Sequence, residues 1–157
     1  MTDKTILQRM ILGETGDSAI QLIQLSLPDD LLNDLRLRLR RTRWPDQING
    51  QEWRQGAELG FLQQLCEHWS ERFDWRAQEA RLNAFPQFRG SVDGIGIHFV
   101  HAPSEKPGGV PLLLTNGWPS SIFEYLHVIP RLTAAGFDVV APALPGYGLS
   151  DRSVEPG

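Results

Sequence analysis

Four consecutive residues after a run of leucines form the most distinctive polar turn of the sequence: Asn116, Gly117, Trp118 and Pro119. Glycine permits a sharp bend and the bond before proline can be cis at modest cost, so this turn can direct backbone N–H groups into a cavity. At the carboxyl end of a buried parallel strand, where open α/β sheets place their ligands, the Trp118 N–H could stabilise an oxyanion. A packed cis-proline turn without chemistry explains the same residues, and the residues alone leave both interpretations open.

A second glycine-rich stretch, GYGLS at residues 146–150, follows the next predicted strand. Asp151 stands where a dinucleotide-binding fingerprint needs its third glycine, and Leu144 and Pro145 separate the strand from the glycines. This spacing favours a structural turn over a phosphate cradle. The G-x-S-x-G turn of serine hydrolases does not occur in the sequence.

The four histidines do not have the spacing of a metal site. His98 and His101 lie three apart on a predicted strand and therefore on opposite faces. His68 and His127 fall in predicted helices without an acid or cysteine at ligand spacing. The single cysteine, Cys66, excludes an internal disulfide framework and belongs to an apolar helix stripe. We therefore predict neither a metal nor a cofactor.

Composition places the chain among soluble globular proteins. It has 157 residues, 41% of them hydrophobic and 22% charged, with a net charge of −4. This charge gives no reason to expect nucleic acid or an anionic membrane as partner, and no apolar run reaches the length of a membrane span. The charged start without an apolar stretch predicts a cytoplasmic protein. One predicted helix carries five arginines, which we interpret as a solvated face rather than a nucleic-acid site: Arg36, Arg38, Arg40, Arg41 and Arg43.

The first half of the sequence predicts mainly helices. Residues 1–19 carry little pattern and are interpreted as a loose leader, and a short half-buried strand follows in IQLSLP. Pro28 opens a helix that Pro45 stops. A second helix is predicted from Glu58 to Phe73, and a short third one begins at Asp74. The second helix has an apolar stripe that we expect to face inward: Leu62, Leu65, Cys66, Trp69 and Phe73.

After Pro86 the apolar period changes to two, which predicts strands. QFRGSV and IGIHFVH flank Asp93-Gly94 and predict a hairpin. VPLLLT and FDVVAPAL are continuous apolar strands of the kind whose two faces are both covered, and the helix predicted between them makes them a parallel pair. That helix is expected over residues 120–136, closed by Gly136, with four residues turned inward: Ile122, Leu126, Ile129 and Leu132.

Several motifs in the same order carry a family resemblance. RTRWPD, FDWRAQEARLNAFPQF, DGIGIHFVH, NGWPSSIFEY and VVAPALPGYGLSD resemble the amino-terminal half of microsomal-type epoxide hydrolases. The resemblance implies an α/β fold in which an N-terminal helical extension precedes the first strands of an α/β-hydrolase sheet, here incomplete. It places the helical region at residues 20–86 and the start of the core at residues 87–157.

The resemblance also implies a chemistry that needs no cofactor. In the family an aspartate attacks the epoxide and forms an ester, a carboxylate-oriented histidine activates water, and two lid tyrosines hold the epoxide oxygen. The tryptophan N–H of an H-G-W-P turn stabilises the oxyanion of ester hydrolysis, a role that falls on Trp118. Asn116 stands where the family normally has histidine. The family's G-x-G-x-S turn, which supports the pocket floor, falls on Gly146, Tyr147, Gly148, Leu149 and Ser150.

The matched motifs do not include the nucleophile, the acid, the base histidine or the lid tyrosines. We therefore expect the polypeptide to be inactive alone and to act on a small-molecule epoxide only when completed by the rest of the family's fold. An unpaired apolar edge on VPLLLT predicts pairing with a complementing polypeptide or self-association. The alternative function is a non-catalytic interaction module derived from the same scaffold.

Overall fold

A computed structural model of the chain describes residues 20–154. Two compact units divide the chain, one of them Leu27–Arg76 and the other formed by Met1–Ser26 together with Ala77–Gly157. The predicted leader at residues 1–19 lies outside the described residues.

The unit Leu27–Arg76 is helical, as predicted. It holds α1 (Asp29–Arg40), α2 (Leu59–Glu71) and the first two residues of α3 (Trp75–Asn83). Helix α1 packs against α2. Glu58 caps α2, because its carboxylate accepts hydrogen bonds from the N–H groups of the helix's first turn.

The inward stripe predicted for α2 is wrong at two positions. Leu65 and Trp69 are exposed, and Cys66 is only partly buried. Two helices of this length cover each other along one narrow seam, so part of the α2 stripe stays exposed even though Trp69 lines a small cavity with Leu32 and Leu35 of α1.

The second unit is built on a five-stranded sheet. Its strand order is β1-β2-β3-β5-β4, with antiparallel pairs except for parallel β4 and β5. The parallel pair was predicted from the sequence and is confirmed. The strands are β1 (Gln21–Ile23), β2 (Gln87–Val92), β3 (Ile95–Ala102), β4 (Val110–Leu113) and β5 (Phe137–Pro142).

The predicted hairpin is present between β2 and β3. Val92 pairs with Ile95, and the two residues between them, Asp93 and Gly94, have φ angles of 51° and 77°. Positive φ at both central positions is the turn whose twist matches that of the strands, which explains why Asp-Gly is found there.

The unpaired apolar edge expected on β4 is present in the described sheet, although the apolar run itself is typical of a strand covered on both faces. β4 lies at the edge of the described sheet, and Val110 and Leu113 are exposed. Its apolar sequence is typical of a buried strand, but among the described residues only β5 pairs with it.

The single helix predicted over residues 120–136 is also wrong, because it is split. A 3₁₀ turn (Ile122–Tyr125) is followed by α4 (Ile129–Ala135), which packs against β5. Pro130 lies in the first turn of α4, where its missing N–H is tolerated, whereas inside one long helix it would break a hydrogen bond. Gly136 closes α4 with φ 108°, as predicted.

The core of this unit lies where the 3₁₀ turn and α4 cover the sheet. Val100, Val139 and Ala141 are fully buried in β3 and β5. Of the four residues predicted to face inward from the helical segment, three are buried: Ile122, Leu126 and Ile129. This core fixes β5 and the parallel β4 beside it.

Candidate active site

The candidate site lies at the carboxyl ends of the two parallel strands. β4 ends at Leu113, the Leu114 N–H still donates to the Val140 carbonyl at 2.9 Å, and the chain then leaves the sheet at Thr115. β5 ends at Pro142 and continues into residues 143–151. Because parallel strands end at the same edge, the two predicted site segments both begin there.

The polar turn after β4 contains a cis bond between Trp118 and Pro119. The Trp118 side chain is 84% exposed, whereas Asn116 is only 5% exposed. Gly117 has no positive φ, and no atom lies within 4 Å of where a Cβ would stand. Its glycine is therefore not required by the packing or by the backbone angle of the described chain.

The Gly117 carbonyl accepts two hydrogen bonds. The Asn116 side-chain Nδ2 donates to it at 3.1 Å, and the Ser120 N–H donates to it at 3.1 Å. This carbonyl belongs to the same planar peptide unit as the Trp118 N–H. Among the described residues, the Trp118 N–H has no acceptor, so it is available to an added group.

Two buried polar atoms of this turn have no partner in the described chain. They are Asn116 Oδ1 and Ser120 Oγ. Buried polar atoms are almost always hydrogen-bonded, so orphaned ones point to a water or to a group outside the described residues.

The loop after β5 is a structural turn whose glycines take left-handed angles. Gly146 has φ 85° and Gly148 has φ 49°. Ser150 is fully buried, and its hydroxyl donates to the Ala143 carbonyl at 2.6 Å while accepting the His98 N–H at 2.9 Å. The hydroxyl therefore joins the two ends of the loop to β3. Tyr147 is partly buried.

Asp151 ties the same loop to β2 and β3, a role that the sequence analysis missed. Its carboxylate accepts from Arg89 Nη2 at 2.6 Å and from the Gly96 N–H at 2.9 Å. Arg89 Nη1 also donates to the Leu149 carbonyl at 2.7 Å. A Cβ at Gly96 would collide with the Arg89 guanidinium and the Asp151 carboxylate, so any larger residue would force this ion pair to shift.

His98 is buried in β3 and engaged with amides. Its Nε2 lies 3.0 Å from Gln87 Oε1, and Gln87 Nε2 donates to Asn83 Oδ1 at 2.7 Å. Since Gln87 presents its oxygen, Nε2 carries the imidazole proton, and Nδ1 is left without a partner in the described chain. Burial, with a smaller effect of the Arg89 charge, lowers the pKa of His98 to about 4. The imidazole is therefore neutral near pH 7.

Other site types find little support among residues 20–154. No group of three or more histidine, cysteine, aspartate or glutamate side chains there is arranged to hold a metal ion. No helix in that range is long and apolar enough to cross a membrane.

Comparison with known proteins identifies a family over most of the chain. Residues 20–125 match the model of the family described as epoxide hydrolase N terminus. A putative epoxide hydrolase of Stigmatella aurantiaca is 46% identical over 143 residues, which cover 85% of this chain and 32% of that protein. Epoxide hydrolase 1 of Oryctolagus cuniculus is 33% identical over 154 residues, which cover 90% of this chain and 34% of that protein. The chain thus spans about a third of the length of these curated relatives.

Solved structures agree with the predicted fold class. The juvenile hormone epoxide hydrolase of the silkworm Bombyx mori superposes with a TM-score of 0.82 at 32% identity, covering 90% of this chain and 40% of that one. An Aspergillus niger epoxide hydrolase superposes with a TM-score of 0.78 at 30% identity, covering 94% of this chain and 40% of that one. The helical extension and the first strands of an α/β-hydrolase sheet are therefore confirmed.

Proposed function

The chain belongs to the epoxide hydrolase N-terminus family, and from this premise we propose that it forms part of an enzyme that hydrolyses epoxides to vicinal diols. The reaction runs through an aspartyl ester, as the family resemblance implies. The observation that carries the proposal is the Trp118 N–H, which has no acceptor in the described chain and lies beyond the carboxyl end of β4.

In the proposed reaction, Trp118 acts during hydrolysis of the ester. Water attacks the ester carbonyl carbon and gives its proton to the family's histidine, while the carbonyl electrons move onto oxygen. The Trp118 N–H donates to that oxyanion. The carbonyl then re-forms, and the diol oxygen leaves with a proton. Loss of one such donor typically slows catalysis about 10²- to 10³-fold.

We propose that the 157-residue polypeptide does not catalyse this reaction by itself. Two carboxylates of the sheet region are already engaged: Asp138 Oδ1 accepts the Ser104 N–H at 2.7 Å, and Asp151 pairs with Arg89. No histidine among residues 20–154 contacts a carboxylate, and His98 is held by an amide. A nucleophile–base unit would therefore come from further residues.

A chimera tests the proposal. Residues 1–157 would replace the matching segment of the Stigmatella aurantiaca protein, with that parent as the positive control, and diol formation from styrene oxide would be followed by chromatography. We expect turnover by the chimera and none by the 157-residue chain. A folded chimera that is inactive beside an active parent contradicts the proposed function, and turnover by the short chain contradicts its inactivity alone.

A further inference from the structure

We infer that Asn116 is a positioning residue, whose side-chain amide orients the Gly117–Trp118 peptide so that the Trp118 N–H faces the reacting centre. The inference rests on the proposed function for its catalytic meaning, but the orientation itself is a property of this chain.

Two hydrogen bonds fix the orientation of the Gly117–Trp118 peptide plane. Asn116 Nδ2 and the Ser120 N–H both donate to the Gly117 carbonyl at 3.1 Å, which fixes the direction of that carbonyl. The Gly117–Trp118 bond is trans, the cis bond being the next one along the chain. In a trans peptide the N–H points opposite to the C=O, so the Trp118 N–H is directed away from both donors.

The orientation of the Asn116 amide is determined by this carbonyl and not by its other surroundings. Asn116 is almost fully buried, and its Oδ1 has no partner in the described chain. Turning the amide over would bring Oδ1 against the Gly117 oxygen, which places two acceptors together and loses the one hydrogen bond that this side chain makes within residues 20–154. The observed orientation keeps the donor on the peptide carbonyl and leaves Oδ1 without a partner among the described residues.

The same hydrogen bonds favour catalysis in two ways. Donors on a carbonyl polarise the whole amide and strengthen its N–H as a donor. A donor already pointing at the developing charge needs no reorganisation when the oxyanion forms. Asn116 would therefore act through the Trp118 N–H and need not touch the substrate.

The first test measures the unmodified 157-residue chain, without any activity. Residual dipolar couplings report the direction of each backbone N–H, and the β5 amides define the alignment. We expect the Trp118 coupling to match the direction found in the structure. A coupling averaged towards zero, or one that fits another direction, overturns the inference.

The second test compares two variants of similar size to asparagine. Asn116→Leu removes the donor, and Asn116→Asp replaces it with an acceptor that repels the Gly117 carbonyl. Both should change the Trp118 coupling while the β5 couplings stay the same, and Thr115→Val, at the exposed neighbouring position, should change neither. An unchanged Trp118 coupling in a folded variant overturns the inference. If both variants fail to fold, the inference is judged by the Trp118 coupling of the unmodified chain in the first test.

Kinetics in the active chimera give the catalytic readout. Asn116→Asp should lower kcat roughly 10- to 100-fold and leave KM within roughly twofold, because the lost interaction acts mainly in the transition state. An unchanged kcat overturns the catalytic role. If the chimera is inactive but the Trp118 couplings behave as expected, the proposed function fails and the positioning by Asn116 stands.

Discussion

At the scale of single residues, the His98 imidazole has a structural role. It is fully buried in β3, and its Nε2 proton is directed at Gln87, which in turn donates to Asn83. Asn83 also exchanges two hydrogen bonds with the Leu25 backbone, so the network joins the strand region near the start of the described chain to β3. A ring held in this way is suited to fixing strands and not to accepting a proton from water.

His98 should make the chain less stable as the pH falls. Its pKa of about 4 in the folded state lies below the ordinary 6.5. Between pH 4 and pH 6.5 the unfolded state therefore binds a proton that the folded state does not bind. The free energy of unfolding should therefore drop by roughly 1–2 kcal/mol from pH 6.5 to pH 5, since the slope approaches 1.36 kcal/mol per pH unit only once the unfolded histidine is mostly protonated. Urea unfolding of the wild type over this range measures the slope.

The variant His98→Gln separates this effect from other titrations. It keeps an amide beside Gln87 but cannot be protonated, so its unfolding free energy should be nearly independent of pH over the same range. His68→Gln, at an exposed position, is the matched control and should keep the wild-type slope. Equal slopes in wild type and His98→Gln would contradict the assignment.

The cis bond between Trp118 and Pro119 could be anticipated from the sequence, because a proline permits a cis bond before it. The oxyanion role of Trp118 stays a prediction. The His98 network could not be anticipated, since its members lie far apart in the chain and no spacing pattern links them. One signal was available: the alternation of β3 places His98 on the same side as the buried Val100 and Ala102. The orientation of Asn116 likewise depends on a carbonyl whose direction only the folded turn fixes.

At the scale of elements, the loop over residues 143–151 is a continuation of the sheet rather than a free loop. The Ala143 N–H donates to the His98 carbonyl at 2.8 Å, and the Asp151 N–H donates to the Gly96 carbonyl at 2.8 Å. Both ends of the loop are therefore fastened to β3 beyond the point where β5 pairing ends.

Removing the Ser150 hydroxyl should strongly destabilise the attachment of this loop to β3. Ser150→Ala leaves the Ala143 carbonyl and the His98 N–H without this partner at a fully buried position. We expect a loss of about 2–4 kcal/mol, since each buried group left unsatisfied costs about 1–3 kcal/mol. Chemical denaturation measures it, and Ser91→Ala at an exposed strand position should change stability by less than about 0.5 kcal/mol. A wild-type midpoint for Ser150→Ala would show that the hydroxyl is dispensable.

A methyl group at Gly96 should break the ion pair that closes the loop. Gly96→Ala places a Cβ against the Arg89 guanidinium and the Asp151 carboxylate, and overpacking of this kind costs about 1–3 kcal/mol. Gly117→Ala, where a Cβ meets nothing within 4 Å, is the stability control.

A double-mutant cycle checks the cause of that loss. In an Arg89→Met background the guanidinium is gone, so Gly96→Ala should cost less than it does in the wild type. Equal costs in both backgrounds would mean that the strain arises elsewhere.

Elements with strong local signals were predictable, and those that depend on distant partners were not. The hairpin at Asp93-Gly94 was fixed by its turn residues. The helix after the candidate site was predicted as one piece, because its apolar spacing continues through Pro130 although the backbone cannot. The ion pair between Arg89 and Asp151 that holds the loop over residues 143–151 was not predicted, because the two residues meet only after β2 and β3 have paired.

At the scale of the whole molecule, β4 is the feature that most affects behaviour in solution. Val110 and Leu114 direct their N–H groups to β5, and in a parallel ladder the intervening Leu113 N–H points to the opposite side. Pro111, the other residue of that side, has no N–H, which fits an edge. The family resemblance predicted the unpaired apolar edge, and the structure shows which of its side chains are exposed, Val110 and Leu113.

We expect the 157-residue chain to self-associate through β4. Leu113 is 62% exposed on a strand that offers unpaired backbone groups, and such apolar edges pair with other chains. Leu113→Lys places a charge on the edge and should shift the chain towards monomer in sedimentation velocity over a concentration series. Val92, 60% exposed at the end of β2, provides the matched control, and Val92→Lys should leave the association unchanged. A Leu113→Lys chain that associates as strongly as the wild type would place the contact on another surface.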